Sequence, residues 1–270
     1  ILLLTINLFS QSPWTKEKGK LYTQLSFTTI PSYGTLFGNP DYSINGKITD
    51  NTIQFYGEYG LSDKTTLLIN LPFKSISYKE NLICISAPCE TQNHSEFSLG
   101  NIEIGLKTNF LKKEWIISGQ LNLEANTGTF NAASGIRTGY DSFTFTPLFL
   151  AGKSFGKNYF QTFLGANIRT NKYSSNFKIG GEYGRKISNK IWLIGFLDIV
   201  KSFKNGNVSL ANSNTATGLY VNDQEYGGFG LKGIYEFNTN FGINTGFGGA
   251  FFGNNVAKQA AFTFGVYRKF

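Results

Sequence analysis

Apolar and polar residues alternate along this chain in segments of roughly ten residues, the length a tilted strand needs to cross a bilayer. Successive side chains of a strand point to opposite faces, so each segment has one apolar and one polar face. Residues 19–30 put Leu21, Leu25 and Phe27 on one face and Gln24, Ser26 and Thr28 on the other. Residues 51–61 oppose Ile53, Phe55 and Tyr59 to Gln54, Tyr56 and Glu58. A third segment carries Leu67, Ile69, Leu71 and Phe73. The fourth sets Ile102, Ile104, Leu106 and Phe110 against Asn101, Glu103, Lys107 and Asn109. The fifth sets Trp115, Ile117, Leu121 and Leu123 against Ser118, Gln120, Asn122 and Glu124. Phe143, Phe145 and Phe149 mark a sixth, and Phe160, Leu164, Ala166 and Ile168 a seventh. An eighth covers residues 176–185, and Ile191, Leu193, Leu197 and Ile199 mark a ninth. Phe229, Leu231, Tyr235 and Phe237 lead to Phe241, Ile243, Phe247 and Phe251, and the last segment holds Phe262, Phe264, Val266 and Phe270.

The connections alternate too. Tight turns are expected at residues 62–64, 112–114, 156–158, 188–190 and 238–240. The other connections are mostly longer and polar, notably 32–47 and 204–223. The fold class predicted is all-β: a transmembrane antiparallel β-barrel of about 12 strands, with short periplasmic turns and long extracellular loops. A soluble sandwich or lipocalin-like barrel shares the alternation with its apolar face turned inward. Three features favour the membrane: charges recur on the polar face, connection lengths segregate by side, and the chain ends on an aromatic strand. Tyr59, Phe110, Trp115, Tyr235, Phe237 and Phe241 also fall near segment ends, where an interfacial girdle belongs.

Composition sharpens this picture. Aromatic residues make up 16% and charged residues 16% of the 270 residues, too aromatic and too weakly charged for a disordered chain. Mean hydropathy is −0.16, as expected where a lipid-facing set alternates with a polar lumen set. The formal charge is +8. Lys64, Lys112, Lys113, Lys157, Lys186 and Lys190 sit in or beside the predicted turns, a basic rim suited to anionic lipid headgroups. No nucleic-acid motif accompanies the charge, so outer-membrane lipid is the expected partner and nucleic acid is not.

The opening ILLLTINLF is too short to span but fits the apolar region of a secretory signal, with cleavage expected near Ser10 or Gln11. The chain therefore divides into a signal remnant at 1–11, a periplasmic or plug segment at 12–18, and the barrel at 19–270. Cys84 and Cys89 share one predicted external loop, which in an exported protein reads as a disulfide pair. His94 is the only histidine, which argues against a metal site or a catalytic cysteine; no cofactor is implied and no enzyme is expected.

Parity assigns Glu58, Glu103, Lys107, Glu124, Arg169, Lys178, Glu182, Asp198, Lys232 and Glu236 to the lumen. Charges of both signs in a narrow interior pair along or across the wall; no ring of one sign points to ion selectivity. Gly230, Gly242, Gly246 and Gly248 also face inward and leave room, either for barrel curvature or for the segment 12–18. Pro72 and Pro147 fall within strands, where each removes a ladder hydrogen bond and predicts a local break.

The stretch EYGLSDKTTLLINLPF and the later SLGNIEIGLKTNFL carry a family resemblance. Through Tyr59, Gly60, Leu61, Ser62, Asp63, Leu71 and Pro72, then Leu99, Gly100, Asn101, Gly105 and Lys107, the chain resembles outer-membrane barrels described as transporters of the meta-pathway of phenol degradation. Ser62 and Asn101 stand where that pattern has Thr and Asp, which keeps the turn chemistry. At the C-terminus, Arg268 interrupts the apolar series read by the barrel-assembly machinery, a partner expected during biogenesis. The resemblance implies a passive channel or transporter in the bacterial outer membrane for small molecules, aromatic or apolar ones included. Two competing readings come from the residues. One is a structural or adhesive barrel binding through Tyr33, Phe37 and Tyr42 of the first long loop. The other is an enzyme using His94 and Ser95, whose geometry would have to meet that of a catalytic triad.

Overall fold

The computed structural model describes residues 11–80 and 93–270. Cys84, Cys89 and nearly all of the expected signal remnant lie outside the described residues. The elements in order are β1 (Leu21–Phe37), β2 (Tyr42–Ser62), β3 (Thr65–Glu80), β4 (Asn93–Leu99), β5 (Glu103–Lys112), β6 (Ile116–Glu124) and β7 (Thr144–Phe155). After these come β8 (Asn158–Arg169), β9 (Asn176–Lys186), β10 (Ile191–Ser202), α1 (Asn212–Thr217), β11 (Glu225–Glu236), β12 (Phe241–Asn254), β13 (Val256–Ala257) and β14 (Ala261–Lys269).

Every pairing is antiparallel, and the sheet closes because β1 pairs β2 on one edge and β14 on the other. Leu25 is the joint: it faces Phe55 of β2 and Val266 of β14. Closure leaves no open edge in lipid, as a membrane-crossing sheet requires. β4 and β5 are successive pieces of one barrel position and β13 extends the β1 edge, so the wall has 12 strands.

The parity predicted for each strand is the parity observed. On the outside, Phe264, Leu121, Leu123 and Phe149 are each about half exposed; these are lipid-facing positions. On the inside, Gln24, Ser26, Thr28, Gln120, Asn122 and Thr263 are buried. All five predicted tight turns are present at one end. The aromatic girdle gathers there, with the Phe237 and Phe241 rings stacked at 5.3 Å and Tyr235 edge-on to Phe237 at 5.0 Å. Arg268 is exposed at the same rim, its guanidinium 4.6 Å from the Phe270 ring. A rim cation lying over an aromatic ring keeps its charge in the headgroup layer, so the break in the terminal apolar series is accommodated.

Three expectations are corrected. Residues 32–47 form no long loop: β1 and β2 run on as a hairpin, pairing Leu36 with Tyr42, and only 38–41 turn the chain. Tyr33 of that segment is buried rather than displayed. The fourth strand is split, with β4 covering the part of β3 beyond Pro72. The segment 204–223 contains the short helix α1. β2 has 21 residues, about twice what a bilayer needs, so β1–β3 project well beyond the membrane on the loop side.

The wall makes a testable claim about sides. Leu121→Arg on the lipid face is expected to destabilise the barrel by about 2–4 kcal/mol. Phe110→Arg, at the girdle, should cost about 0–1 kcal/mol. Reversible urea unfolding in lipid vesicles measures both, and equal costs at the two depths would contradict the placement of the belt.

Candidate functional site

The interior is filled in layers, each built by strands that supply one inward residue in two. At the turn end, Glu58 is buried and its Oε1 accepts hydrogen bonds from Lys107 Nζ at 3.0 Å and the Tyr56 hydroxyl at 2.8 Å. Its Oε2 lies 3.0 Å from Lys16 Nζ. Lys16 comes from the segment before β1, which lies inside this mouth. The Lys16 amide donates to Thr66 Oγ1 at 2.8 Å, the Pro13 carbonyl accepts from the Ser118 hydroxyl at 2.6 Å, and Trp14 meets Tyr159 edge-on at 5.9 Å. Two glycines make its seat. A Cβ on Gly60 would strike the Glu17 carbonyl, and one on Gly152 would strike Pro13 and Trp14. The segment therefore does not use the room expected beside Gly230, Gly242, Gly246 and Gly248; Phe196, Lys232 and Tyr267 take that room.

Above this layer Lys232 Nζ binds Glu182 at 2.8 Å, and Glu182 also accepts from Tyr159 and Gln161. Glu236 pairs with Lys186 at 2.6 Å nearer the turn rim. Toward the loop end, Asp50 and Lys74 form a fully buried pair at 2.7 Å, with Thr52 as a further acceptor. The sequence pattern omits this pair because the second alternating segment starts only at Asn51 and the third is marked by its apolar set alone, whereas β2 begins at Tyr42. The signal was present: Asp50 shares the parity of Gln54 and Glu58.

Glu103, Glu124, Arg169, Lys178 and Asp198 occupy the middle. Glu103 and Glu124 face each other across β5 and β6. Glu124 accepts from Asn101 at 2.9 Å, and Arg169 donates to the Ser174 carbonyl at 2.8 Å. None of the five has an oppositely charged partner within 4.0 Å among the described residues. Around four of them lies a cavity of about 160 Å³, with Lys74, Asn101, Thr146, Asn167, Tyr140 and Tyr220 also in its wall.

Loops close the cavity from outside. Ile136, Tyr140, Tyr173, Leu219 and Tyr220 pack on Ile30, Leu36, Ile48 and Ile76 in a single apolar cluster. The Arg137 guanidinium donates to Asn214 Oδ1, and the Tyr140 hydroxyl donates to Gln224 Oε1. Burial pushes the Tyr140 hydroxyl up to about 12, so it stays protonated and keeps that bond through any neutral or mildly basic medium.

Pro72 borders the cavity, and Pro147 follows Thr146, which does. Pro72 leaves its own strand intact and still faces Gln54; the interruption is on the neighbouring position, where β4 stops at Leu99 and β5 starts at Glu103. Pro147 keeps its place opposite Leu121, but between β7 and β8 the pairing goes from Phe145↔Ile168 straight to Leu148↔Gly165. That gap lies within the apolar belt, between exposed Phe145 and Phe149. Outside it is a groove of about 830 Å³ that includes Pro147, Leu164, Gly165 and Ala166. Inside it, Thr146 Oγ1 and Asn167 Oδ1 are 2.9 Å apart. His94 and Ser95 are neighbours on β4, so their side chains point to opposite faces.

No protein-family model and no curated protein matches the chain. Solved structures do. An outer membrane channel from Pseudomonas putida F1 superposes with a TM-score of 0.71 at 14% identity, covering 95% of this chain and 97% of that one. The translocator domain of the autotransporter NalP from Neisseria meningitidis gives 0.55 at 12% identity, covering 94% and 90%. The KdgM porin gives 0.52 at 8%, covering 92% and 99%. The fold is that of outer-membrane barrels.

Breaking the buried pair tests the electrostatics. Lys74→Met leaves Asp50 without a counter-charge and should cost about 3–5 kcal/mol, whereas Lys74→Met combined with Asp50→Leu should recover most of the loss. Urea titration of the folded barrel reads both, and a double variant no better than the single one would mean that packing, not charge, sets the cost.

Proposed function

We propose that this protein is a passive outer-membrane channel for small molecules, aromatic and apolar ones included, whose solutes leave the interior sideways through the gap at Pro147. The observation that carries the reading is the position of that gap. It is bordered by the interior cavity through Thr146 and Asn167 and by the lipid-side groove through Pro147 and Ala166. A loop cluster packs over the loop end and residues 12–18 lie in the turn-side mouth, which supports a sideways rather than an axial route. Two backbone pairings are missing there although the register is kept, the Pro147 carbonyl lies close to Gly165, and Pro147 has no N–H to restore a rung. The shared fold supports the general reading, since the structures that superpose include an outer membrane channel and a porin. On this reading residues 12–18 are a plug and the charged interior positions line the pathway.

Locking the gap tests the exit. Thr146→Cys with Asn167→Cys, in a background of Cys84→Ser and Cys89→Ser, places two thiols on facing residues, within the spacing a disulfide needs. Oxidation should reduce toluene transfer into protein-containing vesicles several-fold, and reductant should restore it. Transfer unchanged by a disulfide confirmed on gels would exclude this exit. The axial alternative has its own readout. Single-channel conductance that appears only on deleting residues 12–18 would make that segment a plug on an aqueous path; equal conductance with and without it would remove the plug role.

A further inference from the structure

The wall of the central cavity holds two carboxylates and two cations that form no ion pair with one another. Glu103 and Glu124 stand together on β5 and β6. Lys178 on β9 and Arg169 at the end of β8 border the same cavity. Most other inward charges close on a partner: Glu58 with Lys107 and Lys16, Asp50 with Lys74, Glu182 with Lys232, and Glu236 with Lys186; Asp198 on β10, outside the cavity wall, is the exception. Here the acids and bases feel each other, Glu103, Asp198 and Glu124 all acting on the Lys178 ammonium, yet none is in ion-pair contact. Lys178 Nζ has no hydrogen bond among the described residues and lies 5.6 Å from the Phe163 ring. Arg169 lies 4.1 Å over Tyr140, and its buried Nε has no acceptor.

Charges held away from bulk water need partners. A hydrocarbon in this cavity would satisfy none of them. A simple anion would answer the cations and repel the carboxylates, and a simple cation would do the reverse. A molecule carrying an ammonium and a carboxylate answers both. The volume of about 160 Å³ is close to the ~150 Å³ cavity that takes one benzene, so the molecule is small.

We propose that the cavity is a binding site for a small zwitterion of the amino-acid class. Its ammonium lies between Glu103 and Glu124, and its carboxylate faces Lys178 and Arg169. This rests on the channel reading for access to the interior but not on the exit at Pro147. A failed lock experiment with intact zwitterion binding would remove the exit and keep the site; the reverse result would remove the site and keep the exit.

Isothermal titration of the folded full chain with L-leucine, leucinamide and N-acetylleucine decides it. Leucine should bind, and each blocked analogue should bind about tenfold more weakly or worse, one charge-assisted contact being lost in each. Lys178→Gln should bring leucine down to the level of leucinamide. The pair Glu103→Gln and Glu124→Gln should bring it down to the level of N-acetylleucine. Heat-modifiable gel mobility verifies folding, and either variant alone suffices if the other does not fold. Equal binding of the three compounds, no binding of leucine, or variants that leave the preference unchanged would each overturn the proposal and make this a solvated charge cluster.

Discussion

A strand crossing a bilayer can bond its amides only to another strand, because hydrocarbon offers neither donor nor acceptor. That constraint closes the sheet through β1 and β14 and determines the rest of the structure. Once the backbone is satisfied by closure, the outer face needs only to be apolar. Everything polar the chain carries must then go inward or to the rims. The interior becomes the crowded, charged side of the molecule, the reverse of a soluble protein. The buried pairs Asp50–Lys74 and Glu182–Lys232 follow from this. In a water-soluble core they would be costly exceptions; here they are what an inward parity of mixed sign has to become.

The same constraint explains how much was legible in the sequence. Period-two alternation follows directly from having lipid on one side, so strand positions, facing and turns could be read residue by residue. Phe262 and Phe264 outward and Gln120 and Asn122 inward needed no tertiary information. Where lipid stops selecting, the reading stopped too. Beyond the membrane β1 and β2 continue as a hairpin that packs Tyr33 and Leu36 against loops, and apolar residues there face inward like an ordinary core. A rule of apolar-out cannot place them, so the segment 32–47 read as a loop. Asp50 was missed at that same boundary.

The candidate site was half legible for a different reason. Parity assigned Glu58 and Lys107 to one face, but parity is silent about partners around the circumference. Lys107 reaches Glu58 across β3, which lies between their strands. Lys16 joins them from a segment with no strand period at all. The prolines were visible in sequence as missing donors, yet their effects differ: at Pro72 the neighbouring position gives way, and at Pro147 the rungs to β8 do. Which neighbour yields depends on what faces the proline. Gly100 donates to the Pro72 carbonyl and resumes the contact. At Pro147 the pairing to β8 lapses and resumes at Leu148, although Gly165 lies close to the Pro147 carbonyl.

A polar interior and an apolar exit need not conflict. A solute with an apolar body and a charged or hydroxylated end presents different surfaces to the cavity and to the gap. On the proposed reading the cavity between Glu103, Glu124, Arg169 and Lys178 would hold the polar end by charge. The groove outside Pro147, with Leu106, Phe110, Leu121 and Leu164 along it, offers the apolar end a surface continuous with lipid. Retention and release would then be governed by separate parts of the wall. Strengthening the charge contacts would lengthen residence without widening the gap, and loosening the Thr146–Asn167 contact would widen the gap without changing what is held. That division follows from the barrel's own chemistry, in which a charge can be stored only inside and an apolar surface is free only outside.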